Sequence, residues 1–151
     1  MKLREKFLHA GLAVLLSVGS LAWAQADDLE LSYELSFREA QAHYADVVMN
    51  VSGLDREYLD LKMAVWAPGS YLIREFSKNV EGFAAAAGGK ALQSEKISKN
   101  TWRIYLDKAE KVRVNYRVYA FEMSVRTSFI NSDHAYLNGT SIFMFVDKEP
   151  E

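Results

Sequence analysis

The chain has 151 residues, half of them hydrophobic and a quarter charged, with two prolines; this balance fits one globular domain and excludes a disordered chain. Its net charge is −2 and no long basic run occurs, so nucleic acid is not an expected partner. Cysteine is absent, which removes disulfides, thiolate metal sites and a cysteine nucleophile together.

Residues 1–26 read as a secretory signal peptide. Lys2, Arg4 and Lys6 give a positive start, an apolar stretch runs from Ala10 to Leu21, and small-x-small cleavage patterns end at Ala24 and at Ala26. The apolar stretch falls short of the ~20 residues that span a bilayer, so cleavage rather than anchoring is expected. Export to the periplasm or the medium follows, with no membrane contact after cleavage and a mature domain over residues 27–151.

Period-two alternation dominates the rest. Leu29, Leu31, Tyr33, Leu35 and Phe37 share one face of a strand, and Glu30, Ser32, Glu34 and Ser36 share the other. Ala45, Val47, Met49 and Val51 repeat the pattern before a turn at Gly53-Leu54-Asp55. Leu59, Leu61, Met63 and Val65 predict a third strand, ended by Pro68-Gly69. The segment 71–83 reads as irregular. Gly88-Gly89 then suits a hairpin turn between residues 83–87 and a strand starting near Ala91. Trp102, Ile104 and Leu106 predict another strand, as do Val112, Val114, Tyr116, Val118 and Ala120, and a last one is expected over 141–146. Short strands at this spacing imply an all-β, antiparallel β-sandwich-like domain.

Candidate chemistry is sparse. His43 and His134 belong to no H-E-x-x-H pair, and their ordinary role is that of surface or satisfied polar groups. Ser70 is not in a nucleophile elbow. Glu75 and Glu122 sit beside aromatic residues, a setting that can raise a carboxyl pKa; an ion pair with Arg74 or Arg126 that fixes a loop is the plainer account. Asn50-Val51-Ser52 and Asn138-Gly139-Thr140 match the glycosylation pattern, as chance sequences often do.

Four blocks are more specific: the run from Trp66 through Phe83, Lys99-Asn100-Thr101-Trp102, the run from Val118 through Ser128, and residues 138–143. In this order they resemble the amino-terminal domain of the glycyl aminopeptidase family of zinc metallopeptidases, over about Leu29 to Val146. The resemblance implies a β domain followed by a thermolysin-like catalytic domain with H-E-x-x-H, and often by a PDZ domain. It places the start of the catalytic domain just beyond Glu151. Zinc and its ligands are therefore expected there, and no cofactor, metal or complete active site is expected in these residues. The sequence would then be a piece of a longer chain, the product of a shortened gene, or a protein from which the rest was removed.

By the same resemblance, this domain packs on its own catalytic domain and meets the peptide substrate indirectly. Tyr136, Asn138, Gly139 and Thr140 are the candidate substrate-facing turn, with an aromatic wall, an amide and a close backbone approach. Arg74, Glu75, Glu122 and Arg126 are candidate interdomain or scaffold ion pairs. Two other readings compete. A free-standing exported module for peptide or carbohydrate predicts a concave aromatic groove. A small hydrolase needs two carboxyls, such as Glu75 and Glu122, about 5–10 Å apart in one cleft.

Overall fold

The computed structural model describes residues 29–147. The leader expected over residues 1–26 lies outside them. The strands are β1 (Glu30–Ser36), β2 (Tyr44–Ser52), β3 (Tyr58–Met63), β4 (Val80–Ala87), β5 (Lys90–Ala91), β6 (Ser94–Ser98), β7 (Thr101–Tyr105), β8 (Lys111–Tyr119), β9 (Phe129–Ile130), β10 (Ala135–Tyr136) and β11 (Met144–Val146). One sheet runs β1-β2-β8-β4-β5 and the other β11-β3-β7-β6, with β9 and β10 forming a small separate hairpin. All of these pairings are antiparallel. Among the described residues the helical content is confined to short 3-10 turns, at Ala40–Ala42, Phe76–Asn79 and Gly139–Ser141.

The alternation explains the two layers. Ala45, Val47, Met49 and Val51 on β2 and Val112, Val114, Tyr116 and Val118 on β8 join one core with Leu59, Leu61, Met63, Trp102, Ile104 and Met144 from the other sheet. Full burial of such a side chain contributes about 1.5–3 kcal/mol, and period two aims every second residue inward. The sandwich read from the sequence is the observed fold.

Several element boundaries differ from the expected ones, each for a local reason. The last strand starts at Met144 instead of Ser141, because residues 139–141 form a 3-10 turn in which the Asn138 Oδ1 accepts from the Thr140 N–H at 3.2 Å and from its hydroxyl at 2.7 Å. Short polar side chains that bond their own backbone compete with a ladder in this way. Val65 lies beyond β3, and its carbonyl accepts from the Arg74 N–H at 2.7 Å to close a loop. β4 begins at Val80 rather than Phe83, and absorbs Gly82 in a bulge between Glu81 and Ala84 where φ is +62°. On β1 the inward-facing Leu31 and Tyr33 stay partly exposed, because β1 is an edge strand opposite the three-residue β11.

The outer rim of β11 is closed by two tyrosines. The Tyr116 hydroxyl accepts from the Met144 N–H at 3.0 Å and donates to the Ile142 carbonyl at 3.1 Å. The Tyr33 hydroxyl donates to the Met144 carbonyl at 2.6 Å. On the outside of the second sheet, Arg103 binds Asp60 through Nε at 2.8 Å and Nη2 at 2.6 Å, and its guanidinium covers the Tyr58 ring at 3.9 Å. This fork holds β3 and β7 in register.

The sandwich has two unlike ends. β2 and β4 begin and β8 ends together, since Tyr44 and Val80 flank Tyr119 and Val118. β3 ends and β11 begins at the same end, where Met63 faces Met144. The opposite end carries the segments 53–57 and 107–111, which present Asp55, Arg56, Glu57, Asp107, Lys108, Glu110 and Lys111 around an open hollow.

Candidate functional site

The end formed by residues 64–79 and 120–141 gathers the candidate turn and ion-pair residues together with His134, and His43 joins them from the start of β2. Its base is built from backbone. The Ala120 N–H donates to the His43 carbonyl at 2.8 Å and the Ile130 N–H to the Ala120 carbonyl at 2.8 Å. His43 closes the triangle through Nδ1, which lies 2.6 Å from the Ile130 carbonyl and must carry the proton, since a carbonyl only accepts. His43 adopts φ 69°, the left-handed turn that lets one residue offer both its carbonyl and its ring to the same lobe.

Aromatic rings continue the lobe outward. The His43 ring stacks on Phe121 at 3.7 Å, Phe121 on Phe129 at 5.2 Å, and Phe129 meets His134 at 5.9 Å. The two histidines thus stand at opposite ends of a stack with two phenylalanines between them. Among the described residues no group of three or more His, Asp or Glu side chains converges on a point. The described side chains therefore do not fit a zinc ion.

The turn carrying Tyr136, Asn138, Gly139 and Thr140 is fastened to the loop carrying Glu122 and Arg126. The Asn138 Nδ2 donates to the Val125 carbonyl at 3.3 Å, its N–H to the Ser128 hydroxyl at 2.9 Å, and Ser128 and Ser141 share a hydrogen bond of 2.8 Å. Asn138 is thus engaged on both faces of its amide. Tyr136 is exposed beside this turn. At Gly139 an added Cβ would meet Phe143 at an ordinary 3.6 Å, so nothing within the domain demands glycine there.

The four candidate ion-pair residues do not pair with one another. Glu75 accepts from Lys99, on the β6–β7 turn, at 2.9 Å. That hydrogen bond and the charge of Lys99 hold the Glu75 carboxyl below the usual carboxylate range, and Glu75 holds Lys99 above the usual lysine range. A general acid needs the opposite shift, so the paired-carboxylate hydrolase gains nothing from Glu75. Arg74 touches Ser70 at 3.4 Å. Among the described residues Glu122 and Arg126 have no ion-pair partner; Glu122 lines a small hollow of about 280 Å³ with Lys78, Asn79 and Thr127.

Because Glu75 is depressed, the stability it contributes is present above the ordinary carboxylate value and lost as pH falls through its lowered one. For Lys99 the contribution is present below the ordinary lysine value and lost as pH rises through its raised one. Both side chains are well exposed, at 60% and 86%, so screening keeps the effect small. Lys99→Met is expected to return the Glu75 carboxyl to its ordinary range, read by NMR titration of its side-chain carbon. An unchanged midpoint would show that the pair does not persist in solution.

A domain that docks on another is expected to show an exposed apolar patch, and what the sequence left unmarked is its place. Sixteen large hydrophobic side chains are exposed among the described residues, and nine of them fall in 65–73 and 121–136: Val65, Trp66, Tyr71, Leu72, Ile73, Phe121, Met123, Val125 and Tyr136. Tyr71 is 100% exposed and Ile73 81%, values that no core or strand role explains. Isolated exposed hydrophobics are ordinary, whereas a concentration of them marks an interaction surface. The local signal was the run Tyr71-Leu72-Ile73 in a loop closed by a backbone hydrogen bond, which gives it no partner layer.

Known proteins match this arrangement. Residues 32–151 match the family model described as the Peptidase M61 N-terminal domain. The fold is similar to the crystal structure of an aminopeptidase N family protein from Idiomarina loihiensis, with a TM-score of 0.74 and 33% sequence identity. That similarity covers 79% of this chain and 20% of the Idiomarina chain, so this chain spans about a fifth of that protein's length. No curated protein matches the chain. The chain belongs to the peptidase M61 N-terminal domain family.

Proposed function

We propose that this chain is the non-catalytic amino-terminal β domain of an exported zinc aminopeptidase, and that its apolar end packs on a thermolysin-like domain and helps shape the substrate cleft. The observation that carries this reading is the contrast between the two ends of the sandwich: exposed Tyr71, Leu72, Ile73, Met123 and Val125 at one, charged loops at the other. A domain that normally sits on another protein surface leaves such a face bare. The family match and the aminopeptidase title of the Idiomarina protein say what kind of enzyme the whole would be.

In such an enzyme the histidines of an H-E-x-x-H helix and a downstream glutamate of the catalytic domain would hold zinc, which would supply Lewis-acid activation of water. The present chain contributes surface. Tyr136 and the Asn138–Thr140 turn, tied to Val125 and Ser128, form a rigid wall at the apolar end, suited to closing off the amino end of a peptide. Removal of amino-terminal glycine or alanine, a following PDZ domain and a periplasmic or secreted location belong to the same reading. The leader-like residues 1–26 support export.

A free-standing carbohydrate or peptide module finds less support. The faces of His43, Phe121 and Phe129 are turned on each other and are no open platform for a sugar, and the exposed Trp66 and Tyr71 belong to a segment that also exposes the aliphatic Val65, Leu72 and Ile73.

Two measurements on the purified chain test the proposal. No release of glycine or alanine from peptides is expected, with or without added zinc. A hydrophobic dye should bind, and the double variant Leu72→Ser/Ile73→Ser should lose most of that binding at unchanged Tm. Zinc-dependent peptide hydrolysis by this chain would overturn the non-catalytic role, and dye binding indifferent to the double variant would overturn the docking face.

A further inference from the structure

We infer that Arg74 is the polar key of the apolar end, and that the surface packing there presents a carboxylate to its guanidinium. The inference rests on the docking reading above and adds the chemistry of the partner: an apolar protein surface carrying one acidic side chain.

Two arginine Nε atoms, of Arg74 and Arg117, are buried without a hydrogen-bond partner among the described residues. Their surroundings differ. Arg117 already has the Glu39 carboxylate and lies over the Tyr44 ring at 3.7 Å, so its charge is compensated. Arg74 has a 3.4 Å contact to the Ser70 hydroxyl and no ion pair among the described residues. The neighbouring Glu75 does not serve it, since that carboxylate is taken by Lys99.

Position supplies the rest. The Arg74 N–H bonds the Val65 carbonyl and so closes the loop that carries Tyr71, Leu72 and Ile73. Its contact with Ser70 keeps the guanidinium within the loop that carries Tyr71 and Ile73, the two most exposed large hydrophobic side chains among the described residues. Ser70, which the guanidinium meets through Nη2, is buried, which restricts water on that side. Covering this loop with a purely apolar surface would strand an uncompensated charge, a costly arrangement. A partner carboxylate compensates that charge, because the terminal nitrogens of Arg offer parallel N–H donors in a planar fork. The same pairing would set the register of an otherwise non-directional apolar contact.

A chimera tests this: the Idiomarina protein with its matching fifth replaced by residues 27–151 of this chain. Hydrogen exchange of the Tyr71, Leu72 and Ile73 amides is compared between the chimera and the isolated chain. These amides are expected to be protected in the chimera alone. Arg74→Met should lower that protection by roughly 30-fold or more, as truncation of a buried charge-pair member does, and Arg74→Lys should fall between. Lys111→Met, at the charged end, should change nothing. Amides of β2 and β8 report folding; if Arg74→Met also loses protection there, Arg74→Lys decides. Equal protection of the loop in wild type and both Arg74 variants would overturn the role of Arg74 and leave the docking reading standing. No protection in the wild-type chimera would overturn docking itself.

Discussion

Tyr116→Phe is expected to destabilise the domain by about 2–4 kcal/mol, lowering Tm by roughly 10 °C in thermal unfolding. The ring itself fits either way, so the loss comes from one oxygen. That oxygen accepts from the Met144 N–H and donates to the Ile142 carbonyl, and both residues are fully buried. Each backbone group left without a partner costs about 1–3 kcal/mol. Burial also pushes the Tyr116 hydroxyl above its ordinary pKa, so it stays a donor throughout the range in which the domain folds. Because β11 is only three residues long, it has few other bonds with which to hold its place. A shift in Tm of less than a few degrees would mean that water replaces the hydroxyl, and that β11 is looser than its burial implies.

His43→Ala is expected to cost about 2–4 kcal/mol, concentrated in the lobe 120–136. The buried Ile130 carbonyl loses its donor, worth about 1–3 kcal/mol, and the loss of the ring contact with Phe121 adds about 0.5–1.5 kcal/mol, while the left-handed backbone strains alanine as it already strains histidine. His43→Gly removes the same ring but accepts φ 69° freely, so it should be less damaging by about 1 kcal/mol. Hydrogen exchange at Ala120 and Ile130 measures the lobe directly, while β3 and β7 amides serve as the reference. Equal effects of alanine and glycine would show that the backbone twist carries no strain.

The layers were legible because their signal is local. In β2 and β8 every second residue is apolar for the length of the strand, and these two strands pair over their whole span. The two-residue β9 and β10 offered no period to detect, and the start of β11 was obscured by the capping role of Asn138. The site was only half legible. The blocks around Arg74–Glu75, Glu122–Arg126 and Asn138–Thr140 do converge on one end, but the partners within it were not predictable. Glu75 bonds Lys99, from a hairpin turn far along the chain, instead of a neighbouring arginine. His43 is the satisfied polar histidine expected, and its importance comes from two backbone hydrogen bonds and one ring–backbone bond that meet only after folding. Exposure is likewise a property of the assembled molecule. Tyr71-Leu72-Ile73 reads as apolar in the sequence, and only the closed loop shows that the domain itself has no place for it.

A body with one oily pole and one charged pole has the build of a surfactant. Crowded in solution without a covering partner, such bodies gather pole to pole into clusters of limited size, since each new member hides its greasy cap and turns its ionic cap to water. Sideways zipping into fibres is discouraged at the β11 flank, where tyrosine oxygens already occupy the Met144 amide and carbonyl.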